Sequence, residues 1–262
     1  MISKSLIKKV RSLEHKKYRL RERLFVAEGA KTVEALMEAS APEAVIATAE
    51  WYEATGRPRD IVVTDDELRK VSFMQHPQQV AALFPLPGTE PHADTGNGLV
   101  LALDGIQDPG NLGTIIRTAD WFGIRDVVCS PDCADVYAPK AVQATMGSIA
   151  SVRVAYCDLE SFITRQPAGV RIFGTFLNGA DIYRQQLCGS GIIIMGNEGK
   201  GISPEVERLV SDRLTIPRYG QGHCETRGKN LPPDRKNLCA AESLNVATAT
   251  AIVCSEFRRR GA

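Results

Sequence analysis

The sequence predicts an α/β protein made of two unequal units. Three observations lead there. From Leu99 onward short apolar runs alternate with helical stretches; the first eighty residues hold a smaller set of the same kind; and between Phe84 and Gly98 the chain is punctuated by Pro85, Pro87, Gly88, Pro91 and Gly96. Strands alternating with helices argue for a parallel sheet covered on both faces, and a Pro/Gly-rich stretch of low apolar content suits a linker. We therefore expect a domain over 1–90, a linker over 91–98 and a second domain over 99–262, which suits a chain of 262 residues.

In the first unit, Leu6, Val10 and Leu13 recur at helical spacing amid basic residues. Leu24–Ala27 reads as a strand, Lys31–Ala39 as a helix stopped before Pro42, Val45–Ala47 and Ile61–Thr64 as strands, and Ala49–Thr55 as a helix between them. In the second unit the expected pairs are Leu99–Leu103 with Thr114–Phe122, Val127–Cys129 with Pro139–Ile149, and Val152–Tyr156 with Leu159–Arg165. Arg171–Phe176 follows as a strand, then Ile192–Met195 with Pro204–Val210 and Leu214–Ile216 with Ser243–Phe257. Ligands of open parallel sheets bind outside the carboxyl ends of the strands, so the loops after Leu103, Met195 and Ile216 are where chemistry is expected.

Composition excludes several classes. The longest apolar runs have strand length, far below the roughly 20 residues that span a bilayer, so no membrane span is expected. Met1–Val10 is basic without an apolar signal core, which points to a cytoplasmic protein. Seven cysteines are scattered without a CxxC pair, so neither disulfides nor a metal site is expected. Net charge is only +1, yet residues 1–31 hold ten Lys/Arg against three acids. A basic arm on an otherwise acidic chain is the footprint of a phosphate-rich partner; standing alone, the segment reads first as a solvated helix face.

Neither G-x-G-x-x-G after a strand nor G-x-x-x-x-G-K-[ST] occurs, which disfavours a dinucleotide-binding reductase and a P-loop kinase. The strand ends carry glycine and carboxamide groups instead: Asp104-Gly105-Ile106-Gln107-Asp108-Pro109-Gly110-Asn111-Leu112-Gly113, then Gly196-Asn197-Glu198-Gly199-Lys200-Gly201, then Ser243-Leu244-Asn245. Glycines at this density let backbone approach a ligand. Asparagine amides donate and accept at once, although an asparagine in a turn can also simply shape the backbone.

These stretches, with Ile115-Ile116-Arg117-Thr118-Ala119 and Leu214-Thr215-Ile216-Pro217, resemble in order the three signature motifs of the SpoU/TrmH family of RNA ribose methyltransferases. Phe25-Val26-Ala27-Glu28-Gly29 looks like the start of the family's ribosomal-protein-like substrate-binding domain. The resemblance implies a SPOUT catalytic domain with a deep trefoil knot, a rare exception to unthreaded topologies. It further implies a homodimer, structured RNA as substrate, ribosomal RNA ahead of transfer RNA, and S-adenosylmethionine as cofactor. The cofactor would be held mainly by backbone at Thr175, Leu177, Gly196, Ile216 and Leu244. Arg117 would be the catalytic arginine, acting either as a base primed by a substrate phosphate or as a cation that positions that phosphate. Asn111 and Asn245 would orient ribose and arginine. Glu198 would anchor Asn111 or the loops, and Ser243 would cap the last helix or face the ribose. One departure from the family is an insertion of about nineteen residues near 222–240. A rival reading, an RNA-binding protein that keeps the fold without catalysis, is favoured only if Asn111, Arg117, Glu198 or Asn245 is missing, and all four are present.

Overall fold

The computed structural model describes residues 2–88, 95–96, 98–219 and 243–261. The 222–240 insertion and most of the 91–98 linker therefore lie outside the described residues.

The first unit runs α1 (Lys4–Ser12), α2 (Lys16–Glu22), β1 (Leu24–Glu28), α3 (Ala30–Ala39), β2 (Ala44–Ala47), α4 (Ala49–Thr55), β3 (Ile61–Val62), α5 (Asp65–Val71) and β4 (Val80–Pro85). Its sheet has the order β1-β4-β2-β3, with β4 antiparallel to β1 and β2. Alternation along the strands sorts the side chains between faces. Leu24, Val26, Ala81 and Leu83 pack with Val10 and Leu13, while Phe25, Ala27, Val80, Ala82 and Phe84 point to the other side. The expected apolar face of α1 is thus part of a core. The sequence reading did not anticipate α2, α5 or β4.

The second unit runs β5 (Leu99–Asp104), α6 (Pro109–Trp121), β6 (Asp126–Cys129), α7 (Pro139–Thr145), β7 (Arg153–Tyr156), α8 (Leu159–Thr164), β8 (Ile172–Asp181), β9 (Gly191–Gly196), α9 (Pro204–Glu207), β10 (Asp212–Thr215) and α10 (Val246–Gly261). The sheet order is β10-β8-β9-β5-β6-β7 and every pairing is parallel. All six residues of β5 are buried, as a strand covered on both faces requires. Leu101, Leu103, Ile193 and Phe173 share a core with Phe257 of α10, and Val100, Ala102, Ile192 and Ile194 share another with α8 and α9.

Several boundaries differ from expectation. Helix α6 starts at Pro109 rather than Thr114, because Asp108 caps it by accepting from the Asn111 N–H at 2.8 Å and Pro109 fits the first helical position. Helix α7 stops at Thr145, where Met146 turns left-handed with φ 52°, and a 3₁₀ turn over Ser148–Ala150 replaces its expected last turn. Strand β8 continues to Asp181.

The two units share one apolar core, in which Phe25 of β1 lies 4.9 Å, ring to ring, from Tyr137 just before α7. Beside it the buried Arg19 guanidinium pairs with Asp135 at 2.6 Å and donates to the carbonyls of Leu13 and Glu14, both at 2.7 Å.

Candidate active site

The parallel register sets Asp104 of β5 against Gly196 of β9, so the loops that follow leave the sheet side by side. Side chains then tie them together. Asn197 Nδ2 donates to the Gly105 carbonyl at 2.6 Å, and Asp104 Oδ2 accepts from the Ser203 N–H at 2.7 Å. Asn197 Oδ1 also accepts the N–H groups of Gly199 and Lys200 at 2.9 and 3.0 Å, folding 197–201 into a tight turn. Gly196 is required by crowding: a Cβ there would meet the Gly201 carbonyl carbon and the Ile202 nitrogen, both at 2.4 Å.

That turn delivers Glu198 to the start of two helices. Its Oε1 accepts from Asn111 Nδ2 at 2.7 Å, Asn245 Nδ2 at 3.1 Å and the Val246 N–H at 3.4 Å. Asn245 Nδ2 also donates to Asn111 Oδ1 at 3.0 Å. Asn245 Oδ1 accepts from the N–H groups of Ala247 and Thr248 at 3.0 and 3.2 Å, so this residue caps α10. Three residues from three separate motifs thereby form one bonded group, and a carboxylate there is favoured by the positive end of a helix. Two of them, Asn111 and Glu198, border a cleft of about 440 Å³ with Ile106, Gln107, Asp108, Asn197, Gly199 and Val246. The Lys140 ammonium, 2.8 Å from Asp108, and the Asn111 N–H hold the Asp108 carboxyl below its ordinary range.

The other expected site residues are placed as follows. Thr175 Oγ1 donates to the Ile194 carbonyl at 3.0 Å, and the Leu177 carbonyl accepts from Thr215 Oγ1 at 3.2 Å. The register between β8 and β10 jumps from Gly174 opposite Arg213 to Ala180 opposite Leu214, so Thr175–Gly179 has no register partner on β10. Leu177 is 78% and Leu244 45% exposed, whereas Ile216 packs against the core. Adjacent strands thus gather Thr175, Leu177, Gly196 and Ile216 at one end of the sheet, and Leu244 is joined to them through Asn245 and Glu198. Ser243 is exposed and does not cap the helix; Asn245 does, because α10 starts at Val246. Arg117 is exposed and has no hydrogen bond or ion pair among the described residues. Six residues beyond Asn111 on the same helix, it lies about 120° round the axis from it. The structure therefore brings Asn111, Glu198 and Asn245 together and leaves Arg117 on another face.

Sequence reasoning did not single out Asp108 or Asn197 as site-shaping residues. The signal for Asp108 was present, a capping residue directly before proline. For Asn197 none was, since its partner lies 92 residues away.

Residues 4–82 match the MRM3-like substrate binding domain and residues 98–224 match the SpoU rRNA Methylase family. A Bacillus subtilis protein named 23S rRNA (guanosine(2553)-2′-O)-methyltransferase RlmP is 32% identical over 96% of this chain and 95% of its own. The chain belongs to the SpoU rRNA methylase family. Among solved structures, a TrmH-family chain from Porphyromonas gingivalis is 41% identical over the whole of both chains, with a TM-score of 0.83. The AdoMet-bound rRNA methyltransferase of Sinorhizobium meliloti is 30% identical over 99% of this chain and 97% of its own, with a TM-score of 0.79. The six-stranded parallel sheet is the family's SPOUT methyltransferase domain, preceded by an N-terminal domain. Among the described residues no cluster of metal-ligating side chains occurs and no helix is long and apolar enough to cross a membrane.

Proposed function

We propose that this protein methylates a ribose 2′-oxygen of ribosomal RNA, using S-adenosylmethionine. The observation that carries this is the Asn111–Glu198–Asn245 group beside the cleft, a dense set of oriented amides that a purely RNA-binding protein has no need to keep. Relatives named as 23S rRNA 2′-O-methyltransferases support the substrate class, ribosomal ahead of transfer RNA, and a cytoplasmic place of work belongs to the same proposal.

The residues present fit the cofactor. Leu177, exposed within β8, and Leu244, partly exposed just before α10, together with the Thr175–Gly179 backbone that has no register partner on β10, suit a ligand that is partly apolar and partly hydrogen-bonding. Thr175, Leu177, Gly196, Ile216 and Leu244 would hold it. When bound, S-adenosylmethionine supplies a methyl group already activated by its sulfonium. The chain's task is then to align the ribose hydroxyl and fix its phosphate. Asn111 and Asn245 orient the ribose, Glu198 fixes both amides, and Ser243 faces the sugar. Arg117 grips the neighbouring phosphate, a task a guanidinium performs without losing its proton.

Because Arg117 stands apart from this group within one chain, we assign it to the site of a second copy. Trp121, one turn further along α6 and 85% exposed, supports such an interface. We also read the C-terminal segment as the family's deep trefoil knot, a reading supported by the packing of α10 on α6 and β9. Residues 1–90, joined by 91–98, form the ribosomal-protein-like RNA-binding half, and 99–262 the catalytic half. The test is to map 2′-O-methyl positions in ribosomal RNA from cells with and without the protein. One position should lose its methyl group, and the purified protein should restore it in vitro. Identical maps would overturn the proposal.

A further inference from the structure

A second concavity, of about 570 Å³, lies between the two units, within the range that small ligands fill. On one wall the Arg11 guanidinium stands 4.6 Å from the centroid of the half-buried Phe73 ring and donates to the Ser72 carbonyl at 2.6 Å. Glu28, at the end of β1, accepts from the Ser72 hydroxyl and from the Phe73 N–H. The loop carrying the ring is thereby pinned to the sheet, and ring and guanidinium form a fixed stack. On the facing wall α7 presents Lys140 and Gln143, three residues apart and so on one face. The side-chain amides of Gln143 and of Gln75 on the first wall make no hydrogen bond among the described residues, which leaves each with a donor and an acceptor to offer. Lys140 is the link to the chemistry: its ammonium is bonded to Asp108, which borders the Asn111 cleft.

Resting on the methyltransferase reading above, we infer that this groove takes an unpaired nucleobase of the RNA substrate, close in sequence to the methylated nucleotide. An aromatic ring with a stacked guanidinium is the platform on which splayed-out bases rest, and free amides can read a base edge. The charges set the orientation. Glu14 and Glu28 line the groove and repel a phosphate, while Lys140, which also lines it, is paired with Asp108 of the neighbouring cleft. The base therefore goes in and its phosphate stays at Lys140. Since groove and cleft meet at the Lys140–Asp108 pair, a base held in one places a nearby ribose at the other.

The test uses the full-length protein and ribosomal RNA from cells lacking it. Phe73→Ala should weaken RNA binding by roughly 5- to 150-fold, the range for removing one stacked base, and Phe73→Trp should retain it. Gln143→Ala, a change on an exposed helix face, should raise KM for RNA several-fold with kcat and S-adenosylmethionine affinity unchanged. RNA carrying 4-thiouridine at unpaired positions near the methylation site should photocrosslink to the peptide holding Phe73. Wild-type RNA affinity and KM in both Phe73→Ala and Gln143→Ala would overturn the inference, as would crosslinks confined to other peptides, the result expected if the groove serves a protein partner. Crosslinking does not depend on turnover. An inactive but crosslinked wild-type protein would therefore refute the methyltransferase reading and leave the base site supported.

Discussion

One oxygen of Glu198 accepts from two asparagine amides and the N–H of a helix start. Glu198→Gln keeps an acceptor and removes the charge, and charge-assisted bonds are about twice as strong as neutral ones. Turnover should fall about tenfold, the equivalent of 1.4 kcal/mol, while the melting temperature drops only about 2–4 °C because the site is open to solvent. Stopped assays and thermal melts check both. Arg117→Ala should lose at least about 100-fold in methyl transfer with S-adenosylmethionine affinity unchanged; calorimetry showing abolished cofactor binding would refute the separation of roles. As candidates, Asn111, Glu198 and Asn245 were legible from their motifs, the first two in short glycine-rich runs and the third directly after Ser243-Leu244. How they divide the work was not, because Glu198 lies 87 residues from Asn111 and 47 from Asn245. Ser243 and Asn245 are both capable caps, and only the start of α10 at Val246 decides between them.

Helices α6 and α7 pack so closely that a Cβ on Gly113 would meet the Ala141 carbonyl oxygen at 2.5 Å. Gly113, read from sequence as part of a ligand-approaching loop, is therefore a packing residue. Gly113→Ala would raise helix propensity by up to about 1 kcal/mol, but forcing two backbones apart costs more. A net loss of about 1–3 kcal/mol is expected in urea denaturation. Elements with clear periodicity were legible, including the six parallel strands. Strand β4 was not, since Val80-Ala81-Ala82-Leu83-Phe84 is apolar throughout and buried on both faces, without alternation. Helix α5 did carry a signal, the Thr64–Glu67 capping box, and reading Thr64 as the end of a strand concealed it. Helix α7 ends where Met146 adopts a conformation that no residue pattern announces.

Across the molecule, the basic arm turns out to be divided in its duties. Arg19 is buried against Asp135, Arg11 lies on Phe73 and Lys9 pairs with Glu43, while Lys4, Lys8, Lys16 and Lys17 are exposed. If the exposed group touches phosphates, replacing these four lysines with Gln should flatten the log–log dependence of RNA affinity on salt by about 0.7–0.9 for each phosphate no longer neutralised, with cofactor affinity unaffected. An unchanged slope would return the arm to a solvated surface. Arg19→Ala should behave differently, removing about 3 kcal/mol of stability by leaving Asp135 without its partner, measurable as a lower urea midpoint.

The apolar cluster that runs from β1 and β4 through Phe25 and Tyr137 into β5 and α6 has a consequence for how the protein comes apart. Neither half can open without uncovering side chains that the other half shelters. Two sheets and a linker would ordinarily suggest two melting events. Here the scanning calorimeter should record a single endotherm whose van't Hoff and calorimetric enthalpies agree. Substitutions in either half should then move that one peak as a whole.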